Sequence, residues 1–387
     1  MRQPQLKTEG PGDELTLPGS RGTQELCTHG QTSRNQSTRN PTTQNPGTRY
    51  PRPVTDMAFA GLGATATRLE RAAIQVARFD GEMSLTQAPF ATTSPWVEGM
   101  ASARLARIYD TPQRVWLAEL GRGRWRMAAW VVATVRATRL ALEIGAARDL
   151  GELSLRRLNS AVLGKAGPVV EEGWDERTRA LVTDLAAFMA RDDLPVLAQA
   201  AVVYGQLVTR RPFAKANGRT ARAVAQCLMR AKGLTSGGAI PISAVFVYWR
   251  HDLAAALRAF HRGDPMPLLE LYARGSMAAV AHARHARQRQ EDLVASWSRL
   301  LGRTRNGSSA RRILPYLIDS PVFYALQVAA ALQVSPEVVH KACAQLERLA
   351  IIQPLGPRKR YQKLWCAPEA LAAMNTPAGP ATGVVRW

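Results

Sequence analysis

The chain has 387 residues, 46% of them hydrophobic, which is room for two or three domains with cores of their own. No run of 18 apolar residues is free of charge and the N-terminus lacks a compact apolar stretch, so neither a membrane-spanning helix nor a signal peptide is expected, and the reading is a cytoplasmic protein. The formal net charge of +21, with Arg far outnumbering Lys, calls for an anionic partner or marks a chain whose ordinary surface cation is Arg. Cys27, Cys227, Cys343 and Cys366 lack metal-ligand spacing, so they read as reduced thiols and no metal site is expected from them.

Residues 1–55 are rich in Thr, Asn, Gln, Pro, Gly and Arg and nearly free of large apolar side chains. Such a segment cannot bury enough surface to offset its ordering entropy and is expected to be disordered. An N-terminal helical region, 56–122, follows. Leu69, Ala72, Ala73, Val76 and Phe79 keep a helical period that closes at Asp80-Gly81, and Ser94-Pro95-Trp96-Val97-Glu98-Gly99 reads as a loop entering a helix. From Gln113 to Ile144 the pattern is helical with a break at Gly121–Gly123, and a further helix carries Leu155, Leu158 and Val162. Gly164 to Trp174 reads as a loop or short hairpin. Asp175 is placed to cap a helix reaching Arg191, and Leu194-Pro195 opens another that runs to about Val208.

That helix delivers the chain to Arg210-Arg211-Pro212-Phe213-Ala214-Lys215-Ala216-Asn217-Gly218-Arg219-Thr220-Ala221-Arg222. Asn217 is a good N-cap for an Ala-rich helix reaching about Lys232, and Gly218 admits close approach of a ligand. The unpaired amides and dipole of a helix N-terminus favour anions, and Arg219 and Arg222 lie three apart on one face. Together these residues form a candidate phosphate cradle in which both arginines and the amides share one concavity. Pro241 to Phe260 reads as one helix, with His251 a solvated helix residue, and Met266 to about Val294 as one or two more after a Gly263-Asp264-Pro265 turn. After a polar linker at Arg303–Ala310 come helices at Ile313–Ile318, Val322–Leu332 and Ser335–Leu349. Two strands, at Ile351-Ile352 and Tyr361–Trp365, flank the basic turn Gly356-Pro357-Arg358-Lys359-Arg360, and residues 375–387 form a tail.

The central stretch resembles the motif of the Fic (Fido) family, His-Pro-Phe-x-Asp/Glu-Gly-Asn-Gly-Arg-x-x-Arg, at Pro212, Phe213, Asn217, Gly218, Arg219 and Arg222. It departs where Arg211 replaces the catalytic His, Lys215 the metal-binding acid and Ala216 the first Gly. The resemblance implies a mainly α fold: a Fic/Fido-type helical core over 123–300 followed by a C-terminal winged helix-turn-helix unit over 301–374, as in bacterial proteins. It also implies a nucleotide pocket formed by Phe213, Lys215, Asn217, Gly218, Arg219 and Arg222, and AMP transfer from ATP to a hydroxyl of a target protein. Ser94, Glu98 and Gly99 resemble the family's inhibitory motif, whose Glu pairs with the second motif arginine; here that pair is Glu98 with Arg222. The region 164–174 stands where the family has a flap that aligns the target segment.

A guanidinium stays protonated, so Arg211 cannot replace the base, and a lost general base costs about 10²–10⁴-fold in rate. An ammonium at Lys215 repels Mg²⁺ and neutralises phosphate charge directly. Nucleotide binding without metal follows; a phosphorylated metabolite or a nucleic-acid backbone is an equal candidate for the same cations. The expectation is therefore a nucleotide-binding Fic-type protein impaired in AMP transfer. A DNA-binding regulator is the alternative. It would read DNA through Lys341, Arg348, Arg358, Lys359 and Arg360, with the core as sensor or homodimer platform. A slow transferase and a purely structural helical scaffold remain open beside these.

Overall fold

The computed structural model describes residues 54, 63–86, 89–165, 175–302, 307–355 and 363–375. The expected disordered segment (Val54 aside), the flap positions 166–174, the Arg358–Arg360 turn and the tail beyond residue 375 lie outside the described residues. Within them the chain forms α1 (Gly63–Thr86), α2 (Pro89–Leu105), α3 (Pro112–Glu119), α4 (Arg126–Ala146), α5 (Glu152–Val162), α6 (Glu176–Ala190), α7 (Val196–Arg210) and α8 (Asn217–Ala231). These continue into α9 (Ile242–Phe246), α10 (Arg250–His261), α11 (Met266–Leu300), α12 (Ser309–Asp319), β1 (Val322–Tyr324), α13 (Ala325–Leu332), α14 (Pro336–Arg348), β2 (Gln353–Leu355), β3 (Leu364–Cys366) and α15 (Pro368–Asn375). The mainly helical expectation holds. No helix among the described residues is long and apolar enough to cross a membrane.

The main core is built around α7 and α8. Every residue of α8 except Arg230 is buried, and α7 contributes the continuous buried run Leu197–Gly205. Around this pair stand α1, α4, α5, α6, α10 and α11, which bring Val76, Phe79, Leu155, Phe188, Phe260 and Tyr272 into one cluster. Small residues set the closest helix crossings. A Cβ on Gly145 would stand 2.6 Å from the Cys227 carbonyl oxygen of α8. One on Gly99 would stand 2.6 Å from the Val135 Cα of α4. Gly99 therefore has a packing role whatever else it does.

Several polar residues hold loops against this core. Asp80 does not end α1, which runs on to Thr86. Its buried carboxylate instead accepts from Ser236 N, Ser236 Oγ and Gly237 N at 2.7, 2.6 and 2.7 Å, fixing the chain after α8. Gln199 Nε2 donates to the carbonyls of Phe188, Met189 and Arg191, so α7 satisfies orphan acceptors at the end of α6. Asp175 caps α6 as expected, accepting from Thr178 N at 2.7 Å.

Helix boundaries differ from the sequence reading at several places. Ser94–Gly99 is the interior of α2, not its entry. Pro95 has no N–H for the Ala91 carbonyl, and Ser94 Oγ donates to that oxygen at 3.0 Å in its stead. The Pro241–Phe260 segment divides into α9 and α10. Met266 onward is one helix of 35 residues that reaches Leu300. It joins two cores: Leu268 to Ala286 lie in the main cluster, and Trp297 packs with α12, α13 and α14.

In the C-terminal unit Val322–Tyr324 is a strand, where a helix start was expected. Its partner explains this: β1 pairs antiparallel with β3, Phe323 opposite Trp365, and β2 pairs with the other edge of β3, giving the order β1-β3-β2. A three-residue strand is fixed by a segment about 40 residues away, which local pattern does not reveal. The strands after α14 sit at 353–355 and 364–366, slightly beyond the expected positions. This unit is docked on the helical core. Val322, Leu364, Cys366 and Leu371 share a cluster with Trp96, Val115 and Trp116 of α2 and α3. Thr92 Oγ1 donates to Asp319, and Trp297 Nε1 donates to Glu369 at 2.7 Å.

The Gly145 crossing gives a test of whether packing outweighs propensity. Ala is the better helix former by about 1 kcal/mol. Overpacking against a backbone oxygen costs about 1–3 kcal/mol. Gly145→Ala is therefore expected to lower the urea midpoint at unchanged m-value, and a raised midpoint would show that α4 and α8 separate easily.

Candidate functional site

The candidate motif is a tight connection between two buried helices. Arg211 closes α7 in the left-handed conformation, φ 52° and ψ 60°, with its N–H on the Leu207 carbonyl at 3.2 Å. Ala216, also left-handed at φ 63°, precedes the first residue of α8. Neither is Gly, so surrounding contacts hold both in place. Asn217 supplies the central one: its Oδ1 accepts from Phe213 N at 3.0 Å and its Nδ2 donates to Phe213 O at 2.7 Å. Phe213 itself is buried in the main core. Neighbouring helices clamp the same turn. Asn159 Nδ2 of α5 donates to Lys215 O at 3.0 Å and to Thr220 Oγ1 at 2.9 Å, and Thr178 Oγ1 of α6 donates to Pro212 O at 3.2 Å.

α8 thus begins at Asn217 as expected, but Asn217 is its first residue and not its N-cap. Its side chain turns back to close the loop instead of capping the helix amides. Arg211 and Lys215 are exposed on the loop. The α8 amides at its start have no carbonyl four residues earlier within the helix, and the two exposed cations stand on the loop before them.

Arg219 and Arg222 depart from the expected shared concavity with those amides. Both are buried, at 8% and 5% exposure. Arg219 Nη1 donates to Thr134 Oγ1 of α4 at 3.3 Å and to the Val162 carbonyl of α5 at 3.1 Å. Arg222 Nε and Nη2 donate to the hydroxyl and the carbonyl of Ser102 in α2, both at 2.8 Å. Helix burial is the cause: a guanidinium carried into a packed interior takes the nearest oxygens.

The Glu98–Arg222 ion pair is not formed. Glu98 is 2% exposed, and its carboxylate accepts from Ser243 N at 2.9 Å and from Ser243 Oγ. The start of α9 therefore takes the carboxylate, while Ser102, one turn further along α2, takes the arginine. Burial pushes the Glu98 carboxyl up to about 7, against the lowering effect of the Ser243 bonds and of the Arg222 charge. Ser94 serves the same junction, accepting from Ala239 N at 2.9 Å. Ser102, Asn159, Thr178 and Ser243 escaped the sequence reading. Each is an isolated polar residue on an otherwise ordinary helix, and only the tertiary fold shows which oxygen or amide it meets.

Two outcomes follow. Asn217→Ala removes both bonds to Phe213 and should destabilise the fold by about 1–3 kcal/mol in chemical denaturation. For Glu98 the folded value lies above the unfolded 4.5, so between about 4.5 and 7 the folded state holds a proton the unfolded chain has released. Its stabilising contribution is full below that window and falls as pH rises through 7, by up to about 1.4 kcal/mol per unit. Glu98→Gln should flatten this part of the stability–pH curve, and an unchanged slope would assign it to other groups.

Comparison with known proteins places these features. The model of the Fic/DOC family matches residues 170–229, which span α6, α7, the clamped turn and most of α8. A crystal structure of a Fic family protein from Desulfovibrio desulfuricans is similar at 16% identity, covering 77% of this chain and 95% of that one with a TM-score of 0.47. No curated protein matches the chain. Residues 170–229 thus match the Fic/DOC family, and the turn between α7 and α8 that carries the family-like motif lies within that stretch.

Proposed function

We propose that this Fic-type domain binds the phosphates of a nucleotide such as ATP at the 211–217 turn without a metal ion and is impaired in AMP transfer. One observation carries the reading: the turn is clamped at Asn217, Asn159 and Thr178, yet Arg211 and Lys215 stay exposed at its rim. A preformed turn with two outward cations beside a helix N-terminus suits an anion. Mg²⁺ does not fit the residues present, because Lys215 offers an ammonium where a coordinating oxygen is required. AMP transfer needs a base on the attacking hydroxyl, and Arg211 holds none.

The assignment of roles differs from the motif resemblance in one respect. Lys215, Arg211 and the amides of Asn217 and Gly218 would hold phosphate, while Phe213, Arg219 and Arg222 position the turn and α8 from inside the core. The buried contact between Arg222 and Ser102 ties α2, which carries Ser94, Glu98 and Gly99, to the motif helix. An inhibitory role of α2 would then act through Ser102 and not through a Glu98 ion pair.

A second reading has its own support. The C-terminal elements follow the order α12-β1-α13-α14-β2-β3 with a β1-β3-β2 sheet, the arrangement of a winged helix-turn-helix unit. Lys341 and Arg348 are exposed on α14, seven residues apart and so on one face. They give this unit a place for duplex DNA, with the core as sensor.

Calorimetric titration with ATP decides the main reading. Binding should be equal with and without Mg²⁺, and Lys215→Asp should make it Mg²⁺-dependent. Labelled ATP should give little incorporation with the unaltered chain or with Arg211→His alone. The double variant Arg211→His, Lys215→Asp should exceed the product of the single effects, since base and metal serve one transition state. Vigorous incorporation by the unaltered chain, or no ATP binding at all, would end the proposal.

A further inference from the structure

A second concentration of arginine lies outside the motif. Between residues 104 and 139 there are eight arginines, no lysine and two acids, Asp110 and Glu119. The acids are recessed: their side chains are 11% and 17% exposed, against 53% for Arg114 and 58% for Arg136, which they pair. Arg122 and Arg124 follow in the connection from α3 to α4 and Arg126 opens α4, and all three are exposed. Gly121 and Gly123, at φ 70° and 79°, let this connection turn tightly.

Aromatic rings organise the surface. Arg114 lies over Trp125 at 5.7 Å and Arg126 over Trp130 at 5.0 Å. Arg122 lies over Tyr324 at 5.6 Å while its Nε donates to the Tyr324 hydroxyl at 2.6 Å. A guanidinium stacked on a ring has lost much of its side-chain freedom but keeps in-plane N–H groups for a ligand. The last contact reaches β1, so the surface adjoins the C-terminal unit.

We propose that this surface, α3 with the Leu120–Trp125 connection and the start of α4, binds the phosphate backbone of duplex nucleic acid. Guanidiniums held over rings suit the phosphates of a nucleic-acid backbone, and such contacts position it without reading sequence. A single strand would need bare aromatic faces for its bases. Here guanidiniums lie over Trp125 and Trp130, and Trp116 is buried against Trp96 at 4.0 Å. A membrane would need exposed apolar anchors beside the cations, and among α3, the connection and the first turn of α4 every large apolar residue is buried or half-buried. α14 adds little to this field, since Glu337 and Glu347 offset Lys341 and Arg348.

Fluorescence anisotropy with a labelled duplex of about 20 base pairs tests it on the full chain between about 50 and 200 mM NaCl. The variant Arg122→Gln, Arg124→Gln, Arg126→Gln should bind more weakly and flatten the log K against log salt slope by about 2.7, roughly 0.9 per lost phosphate contact. A charge-matched control, Arg78→Gln, Arg258→Gln, Arg262→Gln, should bind like the parent. Should the first variant melt early, Arg124→Glu alone decides, because that side chain is exposed and its loss leaves the stacked rings covered. An equal loss in the control, or a loss confined to Lys341→Gln, Arg348→Gln, would overturn the proposal. So would tighter binding of the unpaired strand, or binding to phosphatidylserine vesicles but not to the duplex.

Discussion

A helix buried on nearly every side must find a partner for each polar group it carries inside. α8 is such a helix, and it carries Asn217, Arg219, Thr220, Arg222 and Gln226 into the main core. Their partners come from five directions: the Phe213 backbone, Thr134 of α4, Asn159 and Val162 of α5, Ser102 of α2, and the backbone of Ile240. An unsatisfied buried charge or amide costs several kcal/mol, so these elements cannot shift independently of α8. The position of α2, the closure of the 211–217 turn and the course of the chain into α9 all follow from that requirement.

The same requirement explains what the motif arginines do. A guanidinium has donors in a fixed fork and no acceptor. Buried, it fixes whichever oxygens surround it, and here those are protein oxygens on α2, α4 and α5. The exposed cations are the two that depart from the family motif, Arg211 and Lys215. Positive charge at the rim of the turn is thus supplied by new residues, while the retained ones anchor it. On the proposed reading, such a division would keep a turn suited to phosphate without the base and the metal ligand of the family motif.

The legible parts of this fold were those with local causes. Helical periods, the Gly121–Gly123 break, the Asp175 cap and the start of α8 all depend on residues within a turn or two of one another. The clamped turn was legible because six motif residues at fixed spacing identify it. What escaped depends on distant partners. Nothing near Val322 announces that β3, far along the chain, will draw it into a strand. Nothing near Glu98 announces Ser243, and the resemblance to the family's inhibitory motif suggested Arg222 as its partner. Opposite charges are a reasonable guess in sequence, but a buried carboxylate is satisfied equally by an amide and a hydroxyl, and the closer donors prevailed.

Composition was legible in amount but not in place. A net charge of +21 says that an anion is a suitable partner and does not say where. The fold adds placement. Around α3 and α4 the two acids are recessed and the arginines are held over Trp125, Trp130 and Tyr324. On α14 cations and acids alternate. If the C-terminal unit engages DNA, its own helix supplies little of the attraction, and the helical core beside it adds to the field. The contact of Arg122 with Tyr324 makes that sharing physically direct, since the hydroxyl that receives the guanidinium stands at the start of α13. Core and C-terminal unit would then form one positively charged surface, and either part taken alone would lose more affinity than its share of the cations.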